Sequence, residues 1–180
     1  MRKIVVSQFV TLDGVMEGPG GDPGFDRGGW AFKFDRGGEG NQFKIDEMME
    51  AEARLLGRVT YEAFAAVWPS RTDDIGFADK MNTMPKYVVS STLRDPRWGS
   101  TTVIGGNLAE EVAALKAQDG GTVMVNGSAQ LVHALVEHGL VDEYRLMVFP
   151  IIVGAGKRLF ADTSQPASLR LRESRPIGPD

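Results

Sequence analysis

Three stretches of the sequence place small, hydroxyl-bearing or charged residues at the ends of apolar runs. They are Leu56–Thr60, Val89–Thr92 and Val125–Ala129. In the first stretch, Arg58 supplies a positive charge and Thr60 a hydroxyl near the start of a helix-like pattern. In the last, Gly127 lets a ligand approach the backbone, and Ser128 can donate a hydrogen bond or cap a helix. Because a helix N-terminus also exposes free N–H groups and a partial positive charge, these residue types suit a phosphate group.

Each stretch taken alone has an ordinary structural explanation. A Gly-Ser pair before a helix is usually a plain cap, an arginine after a strand is usually solvated, and Ser90-Ser91 is usually a turn. Ligands of open α/β sheets bind beyond the carboxyl ends of the strands. Here three successive apolar strands each end at small or hydrogen-bonding residues. We therefore favour a nucleotide or dinucleotide site. The chain contains neither GxGxxG nor GxxxxGK[ST], so the site is not of the usual Rossmann or P-loop type.

The elements that must position these residues follow from hydrophobic periodicity and from glycine and proline stops. Strands are predicted at Ile4–Leu12, Arg54–Gly57, Lys86–Ser90, Thr101–Ile104, Val123–Val125, Glu143–Pro150 and Leu169–Glu173. Helices are predicted at Gln42–Ala53, Thr60–Trp68, Leu108–Ala117 and Ala129–Glu137. Strands that alternate with helices indicate an α/β domain with a mostly parallel sheet. Residues 1–180 are predicted to form one such domain.

Residues 14–41 form a long glycine-rich segment that also carries aromatic side chains, namely Phe25, Trp30, Phe32 and Phe34. Long loops in compact domains are usually functional or disordered, and a true linker has little use for aromatic rings. We therefore expect an ordered loop that folds over a bound substrate. Trp30 would either stack on that substrate or pack the loop onto the body of the protein, and both alternatives stand.

The composition excludes several classes of function. The chain of 180 residues has a formal net charge of −4 and a pI near 5.3, which argues against general nucleic-acid binding. With no cysteine and only His133 and His138, no metal site is predicted. The N-terminal apolar run is short and interrupted, so it is interpreted as a strand and not as a signal peptide. No segment approaches the roughly 18 apolar residues that span a membrane, and a cytoplasmic location is expected.

The same stretches resemble the dihydrofolate reductase-like superfamily. The closer similarity is to the family of the reductase domain of the bifunctional riboflavin-biosynthesis deaminase–reductase. The similar pieces occur in the family's order, and the last of them is the most specific. They are Thr11–Gly14, Gly57–Glu62, Lys86–Leu93, Asn126–Leu131, Leu140–Glu143 and Pro150–Phe160.

This resemblance implies a three-layer αβα dihydrofolate reductase-like fold, with a central, mostly parallel sheet of about eight strands. It also implies NADPH as the hydride donor. Gly57, Arg58 and Thr60 would surround the cofactor phosphates, with Arg58 as the candidate for the 2′-phosphate and hence for the choice between NADPH and NADH. The pyrophosphate would lie at a helix N-terminus formed by Gly127, Ser128, Ala129, Gln130 and Leu131.

The resemblance further places Ser90 and Ser91 near the adenosine. It places the main chain at Phe9 and around Met16 near the nicotinamide carboxamide. The predicted activity is that of an NADPH-dependent oxidoreductase which reduces a small heterocyclic or carbonyl substrate. Two other classes remain open: a nucleotide-binding sensor without turnover, and a structural or interaction protein that binds no nucleotide.

The catalytic acid is not identified by the sequence. In dihydrofolate reductase an acidic side chain on the helix before the Gly-Arg-x-Thr motif grips the pterin, and Asp46 and Glu47 lie near that position here. Asp13 would touch the substrate or orient a turn, and the Asp-Gly pair favours the turn. A small-molecule substrate and a homodimer are expected as partners, with the apolar stretch Met147–Val153 as the dimer contact.

Overall fold

The computed structural model describes residues 1–22, 24–162 and 166–179 of the chain. Its strands are β1 (Lys3–Thr11), β2 (Ala53–Gly57), β3 (Lys86–Val89), β4 (Thr101–Ile104), β5 (Thr122–Val125) and β6 (Glu143–Phe149). They form one sheet in the order β4-β3-β2-β5-β1-β6, and neighbouring strands all run parallel. The carboxyl ends of β2, β5 and β1 therefore lie at one edge of the sheet, where ligands of parallel sheets bind.

The middle of the sheet is buried on both faces. Ile4, Val5 and Val6 in β1 are all 0% exposed, although they follow one another along the strand. A continuous apolar run of this kind is typical of a parallel strand that is covered on both sides. The register pairs Val6 with Val125 of β5, which brings the end of β5 beside the middle of β1.

The helices are α1 (Gly37–Glu50), α2 (Arg58–Ala65), α3 (Phe77–Thr83), α4 (Leu108–Ala117) and α5 (Ala129–Glu137), with short 3-10 helices at Trp30–Lys33 and Trp68–Ser70. One hydrophobic core lies between the sheet and α4 and α5, where Val112 and Leu135 are buried. A second lies on the opposite face, where Met48, Tyr61 and Met81 come from α1, α2 and α3. The chain thus has the three-layer αβα architecture that the resemblance implied.

The glycine-rich loop is folded onto the ends of β1 and β6 by a third cluster of buried residues. Trp30 is 0% exposed, its Nε1 donates to the Glu17 carbonyl at 2.9 Å, and its ring meets Phe149 edge-on at 5.3 Å. Phe149 also contacts Phe9 and Phe34. The Trp30 ring thus packs the loop onto the body of the protein, and its stacking on a substrate stays a prediction.

The structure differs from the sequence-based expectation in four respects. The helix predicted at Gln42–Ala53 is α1 (Gly37–Glu50), so it begins inside the segment 14–41 that was predicted as a loop, and Ala53 belongs to β2. The described residues form six strands, not about eight. The strand predicted at Leu169–Glu173 is wrong, because no neighbouring strand pairs with this segment, and Leu169 and Leu171 are exposed. The short helix α3 was missed; it begins where Asp73 accepts hydrogen bonds from the N–H groups of Phe77 and Ala78.

The stretch expected to form a dimer contact has both buried and exposed side chains. Met147 and Phe149 point into the protein, whereas Val148 and Ile152 are exposed. The homodimer therefore stays a prediction. Among the described residues, no helix is both long enough and apolar enough to cross a membrane.

Candidate functional site

The turns that follow β2 and β5 meet at the carboxyl edge of the sheet. These strands are neighbours, with Leu55 paired to Val125. A methyl group added to Gly57 would lie 2.5 Å from the Oγ of Ser128, and one added to Gly127 would lie 3.0 Å from the Oγ1 of Thr60. The two turns are thus packed closely, and a larger side chain at either glycine would have to displace Ser128 or Thr60. The place where they meet, between the start of α2 and the start of α5, is called the crevice below.

Ser128 is the N-cap of α5, and its Oγ accepts a hydrogen bond from the Leu131 N–H at 3.5 Å. The peptide bond between Gly127 and Ser128 is cis. The side chains of Ala129 and Leu131 are buried in the core, and that of Gln130 is exposed. Because Ser128 already accepts from Leu131, a ligand at this helix end would meet the N–H groups of Ala129 and Gln130.

Arg58 stands at the first position of α2 and is exposed. Its Nη1 forms an ion pair with Glu62 at 2.8 Å, one helical turn further on. Exposed pairs of this type contribute only about 0.3–0.5 kcal/mol, so the guanidinium can exchange Glu62 for a bound anion at little cost.

The turn after β3 is closed by Ser90, whose Oγ accepts hydrogen bonds from the N–H groups of Thr92 and Leu93 at 3.1 and 2.9 Å. Ser91 is exposed at the tip of the same turn. The Ser90 hydroxyl is thus engaged in the turn itself, and Ser91 is the more accessible of the two predicted adenosine contacts.

The main chain near Met16 is held by the Gly-Ala-Gly-Lys-Arg segment that the sequence singled out. The Met16 N–H donates to the Lys157 carbonyl, and the Leu159 N–H donates to the Gly14 carbonyl, both at 2.9 Å. Val15 and Arg158 form an antiparallel bridge. The role of this segment is therefore to fix the start of the glycine-rich loop beside the end of β1.

Asp13 lies in the same turn and has no free carboxylate oxygen. Oδ1 accepts from the Thr11 hydroxyl at 2.6 Å, and Oδ2 accepts from the Gly154 N–H at 2.8 Å. These hydrogen bonds, that from Thr11 above all, lower the pKa of Asp13 to about 2. These hydrogen bonds orient the turn, and contact of Asp13 with a substrate stays a prediction.

A buried polar cluster lies on the α1 side of β1. Glu47 is 3% exposed, and its Oε2 accepts from the Ser7 hydroxyl at 2.9 Å. Lys44 Nζ contacts both the Ser7 Oγ at 2.6 Å and the Glu47 Oε2 at 2.5 Å, and it lies 5.1 Å from the centre of the Phe9 ring. Burial lowers the pKa of Lys44, against the opposing effect of Glu47. Asp46, by contrast, is exposed and bonds only Gln42 among the described residues.

A cavity of about 360 Å³ opens beside this cluster, between α1 and the segment that connects α2 to α3. Arg36 lies 5.1 Å from the Phe9 ring and Arg71 lies 4.9 Å from the Trp68 ring, and neither forms an ion pair among the described residues. Three of the lining residues are cations and one, Asp73, is an acid. The lining residues are Arg36, Asn41, Lys44, Ile45, Trp68, Arg71, Thr72, Asp73, Ile75 and Phe77.

Sequence reasoning missed the cations of this cavity. Lys44 is separated from Glu47 by one helical turn, which is a signal that the sequence carries, but it is also the commonest pattern of a solvated helix. Arg36 and Arg71 belong to different loops, and no spacing connects them. Their juxtaposition results from the packing of the α2–α3 connection against α1.

The fold is that of the dihydrofolate reductase-like class. A protein of Shewanella sp. PV-4 assigned to riboflavin biosynthesis superposes with a TM-score of 0.74 at 18% identity, over 96% of this chain and 91% of that one. Dihydrofolate reductase from Enterococcus faecalis, complexed with NADP(H), superposes with a TM-score of 0.54 at 15% identity, over 90% and 79%.

Within this class, residues 2–180 match the model of the RibD C-terminal domain, and the chain belongs to that family. The deaminase/reductase of Thermotoga maritima superposes with a TM-score of 0.60 at 17% identity, and the chain spans 54% of its length. Two Bacillus subtilis relatives are uncharacterised. YyaP is 28% identical over 97% of this chain and 88% of its own length, and YwjB is 27% identical over 98% and 93%.

Proposed function

We propose that this protein is an NADPH-dependent reductase of a small heterocyclic or carbonyl compound that carries an acidic group. The observation that carries the proposal is the contact of Gly57 with Ser128, and the cavity lined by cations supports it. That contact lies at the carboxyl ends of adjacent parallel strands, which is where such sheets bind nucleotides. When bound, NADPH supplies the hydride, and the protein supplies position and electrostatics.

The residues present fit this cofactor. Glycines at 57 and 127 let the two turns approach each other, where a larger side chain would press against Ser128 or Thr60. The first turn of α5 would hold the pyrophosphate through its N–H groups, and Arg58 would hold the 2′-phosphate. The main chain at Phe9 and around Met16 would bind the nicotinamide. The Phe9 ring lies 5.1 Å from Arg36 and from Lys44, and both of these cations line the cavity.

The cavity indicates the class of acceptor. Arg36 and Arg71 are stacked on aromatic rings and lack carboxylate partners among the described residues, so they attract a phosphate or carboxylate. The names of two structural neighbours denote reduction of ring compounds, one of dihydrofolate and one of 5-amino-6-(5-phosphoribosylamino)uracil. Both compounds are acidic and are the first acceptors to test.

Lys44 is the proton source that this arrangement supports. Its Nζ lies at the cavity wall near Phe9, and Ser7 and Glu47 hold it in place. Because burial lowers its pKa, the ammonium gives up a proton more readily than a solvated lysine does. In the proposed reaction Lys44 would donate the proton on its Nζ to the heteroatom next to the carbon that is reduced. Solvent then returns the proton to the amine.

Calorimetric titration with NADPH and NADH tests the proposal, using the wild type, Arg58→Ala and the exposed control Arg97→Ala. We expect micromolar NADPH binding that weakens roughly tenfold in Arg58→Ala only, since one charge-assisted contact is lost. NADPH oxidation with the two acceptors above then reports turnover. Binding of NADPH without reduction of any acceptor would favour the sensor. If neither NADPH nor NADH binds, the reductase and the sensor are both wrong, and only the interaction protein remains.

A further inference from the structure

Arg54 is a buried cation directly beneath the Gly127–Ser128 turn. It is 2% exposed, and its Nη2 donates a short hydrogen bond to the Oδ1 of Asn126, the residue before Gly127. The Asn126 Nδ2 in turn donates to the Ser7 carbonyl at 2.9 Å. One side chain thus connects β2 to the turn that closes the crevice.

No carboxylate balances this charge among the described residues. The other Arg54 contacts are the sulfur of Met81 at 2.7 Å and the face of Phe64 at 5.0 Å, and Nε is buried without a partner. Lys86, opposite Arg54 in the β2–β3 ladder, is a second cation, 1% exposed. Burial lowers the pKa of Arg54 to about 9.

A buried charge without a counter-ion is costly, and a neutral residue would fill the same space without that cost. A guanidinium keeps its proton in proteins, so the charge is not relieved by titration near neutral pH. An anion at the crevice would relieve it, because Asn126 leads directly into the turn where phosphate would bind. The same low dielectric that makes the isolated charge costly strengthens this attraction.

We propose that Arg54 is a positioning residue for the cofactor phosphates: it orients the Gly127–Ser128 turn through Asn126, and the bound pyrophosphate supplies its missing counter-charge. This inference rests on the proposed function, because it assumes that the crevice takes a pyrophosphate. It adds a residue that does not touch the ligand. Binding at the crevice therefore stabilises the fold by more than its surface contacts alone would.

The test compares Arg54→Met, which keeps the shape and removes the charge, with Arg54→Lys, which keeps the charge, and with the exposed control Arg97→Gln. NADP⁺ and inorganic pyrophosphate are titrated by calorimetry, and thermal unfolding is followed without ligand. Arg54→Met is expected to bind both probes at least about tenfold more weakly, since the cation that contacts Asn126 before the turn is removed. Its unliganded Tm is expected to equal or exceed that of the wild type. Arg54→Lys should recover part of the affinity.

Equal NADP⁺ affinity in Arg54→Met and wild type would overturn the proposal, as would Arg54→Lys binding no better than Arg54→Met. If Arg54→Met does not fold, Asn126→Asp becomes the deciding variant, because it supplies a carboxylate next to Arg54. A raised unliganded Tm and weaker binding of NADP⁺ in Asn126→Asp would support the proposal. Any other result would overturn it. If the wild type binds pyrophosphate but neither NADP⁺ nor NADPH, the proposed reductase function is wrong and the proposed role of Arg54 is kept. Binding of none of these probes would overturn both.

Discussion

A methyl group on Gly57 would lie 2.5 Å from the Oγ of Ser128. These residues belong to different turns, one after β2 and one after β5, and the parallel pairing of the two strands brings them together. A side chain at position 57 would press against Ser128, so glycine lets the two turns pack closely. The same contact explains why glycine and serine occur at the ends of strands far apart in the sequence.

Substituting Gly57 by alanine should therefore damage both the fold and nucleotide binding. Crowding at this contact is expected to cost about 1–3 kcal/mol of unfolding free energy, measured by urea titration. NADP⁺ affinity should fall at least about tenfold, because Ser128 must shift. The control is Gly38→Ala in the first turn of α1, where an added methyl group meets nothing within 4 Å. That variant should be neutral or more stable by up to about 1 kcal/mol. Gly57→Ala behaving like Gly38→Ala would contradict the packing.

Replacing Lys44 by methionine should separate proton delivery from cofactor binding. With an acceptor from the screen, kcat is expected to fall roughly hundredfold while NADP⁺ affinity stays within about twofold. Because burial lowers the pKa of Lys44, wild-type turnover should fall as pH rises through a value below the ordinary lysine value of 10.5. The charges of Glu47, Arg36 and Arg145 also affect the pKa of Lys44, and all three residues are unchanged in the variant. The variant should therefore lose the fall of turnover at high pH. If turnover still falls at the same pH, another group is responsible.

Removing the charge of Arg71 should weaken acceptor binding selectively. Arg71→Gln keeps a polar side chain and leaves Lys44 and Phe9 untouched. A phosphate or carboxylate that loses this partner should raise KM roughly tenfold with little change in kcat, because the contact exists before and during the reaction. Arg97→Gln, which removes an exposed arginine paired with Asp95, is the matched control. An unchanged KM for both acidic acceptors would mean that the cations of the cavity do not bind the acceptor.

The buried lysine of β3 should make stability depend on alkaline pH. Desolvation above all, and the charge of Arg54, lower the pKa of Lys86 to about 8 from 10.5. In that window the unfolded chain holds a proton that the folded chain has released, so this group adds stability as pH rises from about 8 to 10.5. Relative to Lys86→Met, the unfolding free energy of the wild type should rise by up to about 3 kcal/mol. Urea titrations at several pH values measure the difference. A constant difference would show that Lys86 titrates normally.

Local elements were predicted well, because their signals lie within the elements themselves. The helices Leu108–Ala117 and Ala129–Glu137 have the predicted bounds, and the strand Thr101–Ile104 does too. An apolar period and a cap such as Ser128 depend only on near neighbours in the chain. The helix α3 was missed because it is short and stands after a loop whose cap, Asp73, gives no strong sequence pattern.

The acidic candidates show where local reasoning ends. Asp46 and Glu47 are adjacent, and on a helix adjacent side chains point about 100° apart, so one turns inward and the other to solvent. The polar and apolar residues of α1 do not divide into clear faces, so the sequence could not decide between them. Packing against β1 buries Glu47 beside Ser7 and Lys44 and leaves Asp46 exposed.

The sequence by itself determined the family, the alternation of strands and helices, and the glycine and hydroxyl residues of the strand ends, since each is a property of consecutive residues. Only the tertiary structure decided which turns meet, which cations line one cavity, and that Arg54 lies under the crevice without a carboxylate partner among the described residues. Those relationships depend on strand order and on packing across the sheet, where residues distant in the chain become neighbours.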